Sequence, residues 1–167
     1  GEHYDRVHLG HEFISSAARL SFTGINHPYT DQPFWLSLLY AILGGMAEAL
    51  GIDAADINGV IRPIELGGGI GHELVIFDDV PGGAGHSLRL EGADELRRAL
   101  EAARARATNC TCGETASCYA CLRSYRNQFC HESLTRGPVA DYLGVLLDGL
   151  TADRDAELPY PLPDRSG

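Results

Sequence analysis

Along the chain, apolar positions change period several times, and each change marks an element. From Pro33 to Leu50, "PFWLSLLYAILGGMAEAL" is apolar on nearly every side. Thr30 or Asp31 can cap its start and Gly51 can stop it, so it reads as a buried central helix. "GVIRPIEL" (59–66) and "HELVIFDDV" (72–80) are short, rich in branched residues and bounded by glycines, which predicts paired strands. "HEFISSAARLSF" (11–22) alternates imperfectly and reads as a further strand. "ADELRRALEAARARA" (93–107) repeats Leu96, Leu100 and Ala103 at helical spacing, and "PVADYLGVLLDGL" (138–150) predicts an amphipathic helix with Pro138 at its start. Residues 151–167 are proline-rich and acidic and read as a flexible tail.

These elements give an α+β class, a small antiparallel sheet with helices packed on it, and 167 residues suit one domain over residues 1–150. No internal repeat is visible. No run of apolar residues reaches the roughly 18 to 20 a membrane span needs. The start "GEHYDRVHLG" lacks a cationic region followed by an apolar one, so the expectation is a cytoplasmic protein with no membrane partner. The single methionine is Met46, which suggests a piece of a longer polypeptide.

All five cysteines lie between Cys110 and Cys130. Cys110, Cys112, Cys118 and Cys121 form a C-x-C-x5-C-x2-C pattern separated by the small, polar "GETAS". Extended C-x-C puts both sulfurs on one side, and C-x-x-C folds into a knuckle, so four soft ligands can converge on one zinc ion. Four thiolates leave no open coordination position, which makes such a zinc structural. An iron–sulfur cluster also suits four thiolates. A disulfide framework wants an even count and a secreted context, and a redox use of Cys118 and Cys121 would leave the first pair unexplained. Cys130 and His131 are spare, with Cys130 read as a core thiol.

A second constellation is "FDDVPGGAGH" (77–86), where a strand enters a glycine-rich turn. Asp78, Asp79 and His86 offer a possible divalent-metal site and, with it, a metal-dependent hydrolase or nuclease. The plainer alternative is a tight turn whose glycines are there for backbone angles.

The formal charge of −10 disfavours a free-standing nucleic-acid binder. The distribution is uneven, because seven of the thirteen arginines fall between Arg97 and Arg136, opposed only by Glu101, Glu114 and Glu132. If Cys118 to Cys121 opens a helix, Leu122, Tyr125 and Phe129 share a buried face at i, i+3 and i+7. Arg123, Arg126 and Asn127 then point to DNA or to a partner, or else Arg126 and Asn127 cap nearby backbone.

"LGHEF", "SLLYAILGGMAEALGI", "FDDVPGGAGH" and "CTCGETASCYACLRSYRNQFCH" followed by "LTRG" together resemble a known module. It is similar to the zinc-binding C-terminal (MZB) domain of MrfA-type superfamily 2 helicases and to the related DrmB protein of DISARM antiphage systems, over roughly residues 8 to 147. The resemblance implies zinc held by Cys110, Cys112, Cys118 and Cys121. It also implies a helicase motor in the same polypeptide or in a partner subunit, and a setting in DNA repair or antiviral defence. The chain carries neither Gly-Lys-Ser/Thr nor Asp-Glu-x-His, so the expected role is a non-catalytic accessory domain that assists DNA or partner engagement. A pure protein–protein module is the further alternative.

Overall fold

The computed structural model describes residues 13–22 and 31–155. Helix α1 spans Gln32–Leu50, with the Asp31 carboxylate accepting from the Phe34 N–H at 3.2 Å and Gly51 closing the end at φ 64°. Phe34, Leu38, Leu39, Ile42 and Met46 are buried from successive turns, which matches a sequence apolar on all sides. By length and composition α1 is apolar enough to cross a membrane, contrary to the count of uninterrupted apolar residues. Here it is the core helix, packed against the other two helices and one face of the sheet.

The sheet has three antiparallel strands, β1 (Ala17–Ser21), β2 (Ile57–Leu66) and β3 (Gly69–Asp78), in the order β1-β3-β2. The β2–β3 hairpin pairs Ile57 with Asp78 and Leu66 with Gly69, and turns at Gly67 and Gly68. Pro63 is tolerated because β2 lies at an edge. From central β3, Leu74 and Ile76 enter the core. The first strand is shorter than the 11–22 expected, and residues 11 and 12 lie outside the described residues.

Helix α2 (Ala93–Thr108) crosses α1 so closely that a side chain at Gly45 would collide with the Ala99 carbonyl oxygen and the Ala103 backbone. That contact explains Gly45 inside a helix that otherwise favours larger residues, while Gly44 lies under the Arg106 side chain. Helix α3 (Arg136–Asp155) begins two residues before Pro138 and continues five residues into the expected tail. The rest of the tail, 156–167, is outside the described residues. At the junction before α3, Ser37 Oγ donates to Pro33 O at 2.8 Å and accepts from Thr135 N–H at 3.0 Å, fastening the chain to α1.

Candidate metal centre

The four cysteines lie on the chain between α2 and α3, and both helices are used to hold them. At the second pair, the N–H groups of Cys121, Leu122 and Arg123 all point at the Cys118 carbonyl oxygen, at 3.1, 3.1 and 3.0 Å. This closes a knuckle, and the Cys118 N–H donates to Cys121 Sγ at 3.2 Å. The loop carrying the first pair folds back onto α3, where Arg136 N–H reaches Ala116 O and Gly137 N–H reaches Glu114 O. A side chain at Gly137 would press on the Glu114 backbone, so only glycine lets the loop approach this closely.

All four Sγ atoms lie within 4.8 Å of one another. The separations are 3.5 Å for Cys110–Cys112, 3.4 Å for Cys110–Cys118, 3.8 Å for Cys112–Cys121 and 3.9 Å for Cys118–Cys121. A tetrahedron of thiolates around zinc, with Zn–S near about 2.3 Å, has S···S edges of about 3.8 Å. The donor set fits zinc in both chemistry and spacing. A hydrogen bond from the Cys112 backbone N–H and further bonds from the Cys118 and Cys112 thiols lower the Cys110 thiol to about 7. Burial raises Cys112, and burial drives Cys121 up to about 12. Four crowded thiols cannot all ionise without a cation to compensate them, and a dication supplies that charge.

Two arginines that the sequence reading did not single out brace the site. Arg136 donates from Nε to Cys112 O at 2.8 Å and from Nη1 to Ala107 O at 3.0 Å, joining the first ligand pair to the end of α2. Arg106 lies across Gly44, pairs with Glu48 at 3.1 Å and donates to Cys121 O at 3.3 Å. No sequence pattern marks these bonds, because three of the four targets are backbone carbonyls and the fourth, Glu48, lies 58 positions from Arg106.

Beyond Cys121 the structure departs from the expected continuous helix. Ser124 is extended (φ −142°, ψ 167°), and a 3-10 segment then runs from Tyr125 to Ser133 with a kink at Asn127. The extended residue resets the helical phase. Leu122 is buried, but Tyr125 and Phe129 are 82% and 77% exposed, so their assignment to a buried face is corrected. The buried residues are Asn127 and Cys130. Asn127 Oδ1 accepts from Ser124 N–H at 2.7 Å, and its Nδ2 donates to Leu122 O at 2.9 Å. Asn127 is therefore a capping residue inside the fold, not a contact for a partner. Arg126 donates to Ala55 O at 3.0 Å and pairs with Asp79. Arg123 donates from Nε to the Ser117 hydroxyl at 3.0 Å. Cys130 is a core thiol beside Tyr40, and His131 Nε2 lies 2.8 Å from Asn127 Oδ1; neither belongs to the sulfur cluster.

The glycine turn holds its carboxylates apart. Buried Asp78 accepts from the backbone N–H groups of Ala84, His86 and Ser87 at 2.6, 3.0 and 2.7 Å. Burial raises its pKa, and these hydrogen bonds outweigh burial to leave it below the ordinary value. Asp79 faces Arg126, and His86 Nε2 lies 3.9 Å from Asp56. Gly82, Gly83 and Gly85 have φ of 83°, 72° and 78°, so the plainer turn reading holds here. Among the described residues, only the four cysteines bring three or more metal-ligating side chains together.

The fold and site define a helix-and-sheet domain carrying a closed four-thiolate zinc centre. The model of the MrfA Zn-binding domain family (MZB) matches residues 38–122, just over half of the chain, and the chain belongs to that family. Among solved structures, the crystal structure of the DUF1998 helicase MrfA bound to DNA is similar, with a TM-score of 0.53 and 18% identity. That match covers 80% of this chain and 17% of the other, so this chain spans about a sixth of the helicase's length and shares its fold over that part. The search of curated proteins finds no match.

Proposed function

We propose that this chain is a non-catalytic zinc domain that helps a helicase-like protein engage DNA, with the motor in the same polypeptide or in a partner subunit. The carrying observation is the closed four-sulfur site within the stretch that matches the MrfA Zn-binding family. Zinc, when bound, supplies a crosslink between the two cysteine pairs. With four thiolates around it no position is left for a reacting water, so its contribution is to shape. The chain's own residues do the rest: Arg136 and Arg106 fix the ligand loop against α2 and α1, and the Cys118–Arg123 knuckle sets the direction of the segment that follows. The similar helicase structure holds DNA, which supports DNA as the ligand. Electrophoretic titration of the full chain against single- and double-stranded DNA at low salt tests this reading. The expected result is binding that disappears on zinc removal and returns with zinc. Absence of binding to either form, by protein carrying its full zinc, would rule out the DNA role.

A further inference from the structure

The segment from Cys118 to His131 has an unusual surface for a chain of charge −10. It holds Arg123 and Arg126 and no carboxylate. Three of its aromatic rings face outward: Tyr119 is 61% exposed, and Tyr125 and Phe129 more so. Exposed rings on a single segment exceed the scattered apolar residues a surface normally carries. The segment is also stiff. The knuckle fixes its start, Ser124 and Asn127 cap each other, and His131 Nε2 lies 3.0 Å from Ser124 O while its ring meets Tyr119 edge-on at 5.4 Å.

Beside this segment a cleft of about 130 Å³ opens between α1, the start of β2 and residues 121–127. Arg106, Arg123 and Arg126 line it, with Leu43, Ile57 and Leu122 as its apolar wall. Arg106 and Arg126 each pair with one carboxylate, whereas the described partner of Arg123 is a neutral hydroxyl. The cleft therefore carries positive charge, and the segment that lines one side of it, residues 121–127, belongs to the stretch that bears the outward aromatic rings.

We infer that Tyr119, Tyr125 and Phe129, with Arg123 at the adjoining cleft, form a stacking surface for single-stranded nucleic acid. The inference deepens the proposed DNA role and rests on it. Unpaired bases offer flat π-faces at every step along a chain of phosphates, which is the combination that aromatic rings beside an arginine recognise. In a duplex the bases stack on each other and hide those faces. An acidic protein surface would satisfy the arginine but would leave the three rings without matching partners. Rings on a stiff segment also lose little freedom on binding.

The test is fluorescence anisotropy of a labelled oligothymidylate with the full, zinc-loaded chain at low salt. A blunt duplex of the same length and two double variants serve as comparisons: Tyr125→Ala with Phe129→Ala, and Tyr125→Leu with Phe129→Leu. The expected result is preference for the single strand and a loss of about tenfold or more in both variants, since leucine keeps apolar area but has no π-face. Arg123→Ala should weaken binding and reduce its salt dependence. Zinc content should not change and melting temperature should shift only slightly, because the rings are exposed. If the leucine variant binds like wild type, or duplex and single strand bind equally, the stacking surface is wrong. Zinc-dependent binding of duplex would in that case leave the proposed function standing, whereas loss of all nucleic-acid binding would remove both.

Discussion

The glycine turn at 78–87 and the cysteine module at 110–121 both looked capable of holding a metal, and they resolve in opposite ways. In the turn, the Asp78 oxygens are already occupied by three backbone N–H groups, and Asp79 and His86 face other residues. In the module, the backbone hydrogen bonds go mainly to carbonyls, and the four sulfurs are left facing one point. A cluster of ligand types becomes a site only when its lone pairs remain available and converge. Three N–H donors make Asp78 a structural anion, and crowding makes the cysteines a cation site.

Breaking the module should have the largest effect. Cys121→Ser, or chelation, is expected to remove zinc and unfold at least residues 108–136, a loss on the order of 10 kcal/mol of apparent metal-linked folding energy. Metal analysis together with hydrogen exchange over that segment checks it, and unchanged protection after chelation would count against it. Asp78→Ala should come next, at roughly 3 kcal/mol, because it strands buried N–H donors. Its zinc stoichiometry should stay at one per chain, and a zinc deficit would mean that the two regions are coupled.

Acidification sharpens the same comparison. The depressed pKa of Asp78 contributes stability present above about pH 4, the ordinary carboxylate range, and lost as pH falls through its lower folded value. Zinc binding requires deprotonated thiols and weakens at higher pH than that. Zinc release, followed with a chromophoric chelator, should therefore precede loss of near-ultraviolet circular dichroism from the core. Arg136→Met should cost about 2 kcal/mol by leaving the Cys112 and Ala107 carbonyls without their donor, and should raise zinc release under mild chelation. The smallest effect is expected at Tyr125 and Phe129, where alanine should shift stability by only about 0.5 kcal/mol in thermal unfolding. A larger loss would place these rings in a packed interface.

Much of the architecture was legible because local patterns carry it. The boundaries of α1 follow from Asp31, Pro33 and Gly51, and the hairpin follows from two branched runs around glycines. The four ligands were legible because spacing within a short loop determines whether sulfurs can meet. The phase of residues 122–131 was not, since one extended residue at Ser124 rotates everything after it. Nor were the arginine partners, which lie far along the chain: Arg126 reaches Asp79 and Ala55, and Arg136 reaches Ala107.

By itself, then, the order of residues determined the three long helices, the hairpin and the four-cysteine ligand set, all of which depend on neighbours within a few positions. Only the tertiary structure decided which charged and aromatic side chains are bound inside and which face outward. An arginine's partner is whichever carbonyl or carboxylate the packed elements bring within about 3 Å, and nothing in its own sequence neighbourhood encodes that distance. Tyr125 and Phe129 show the same dependence, because their exposure rests on a hydrogen-bonded cap between Ser124 and Asn127 and on the knuckle that precedes it.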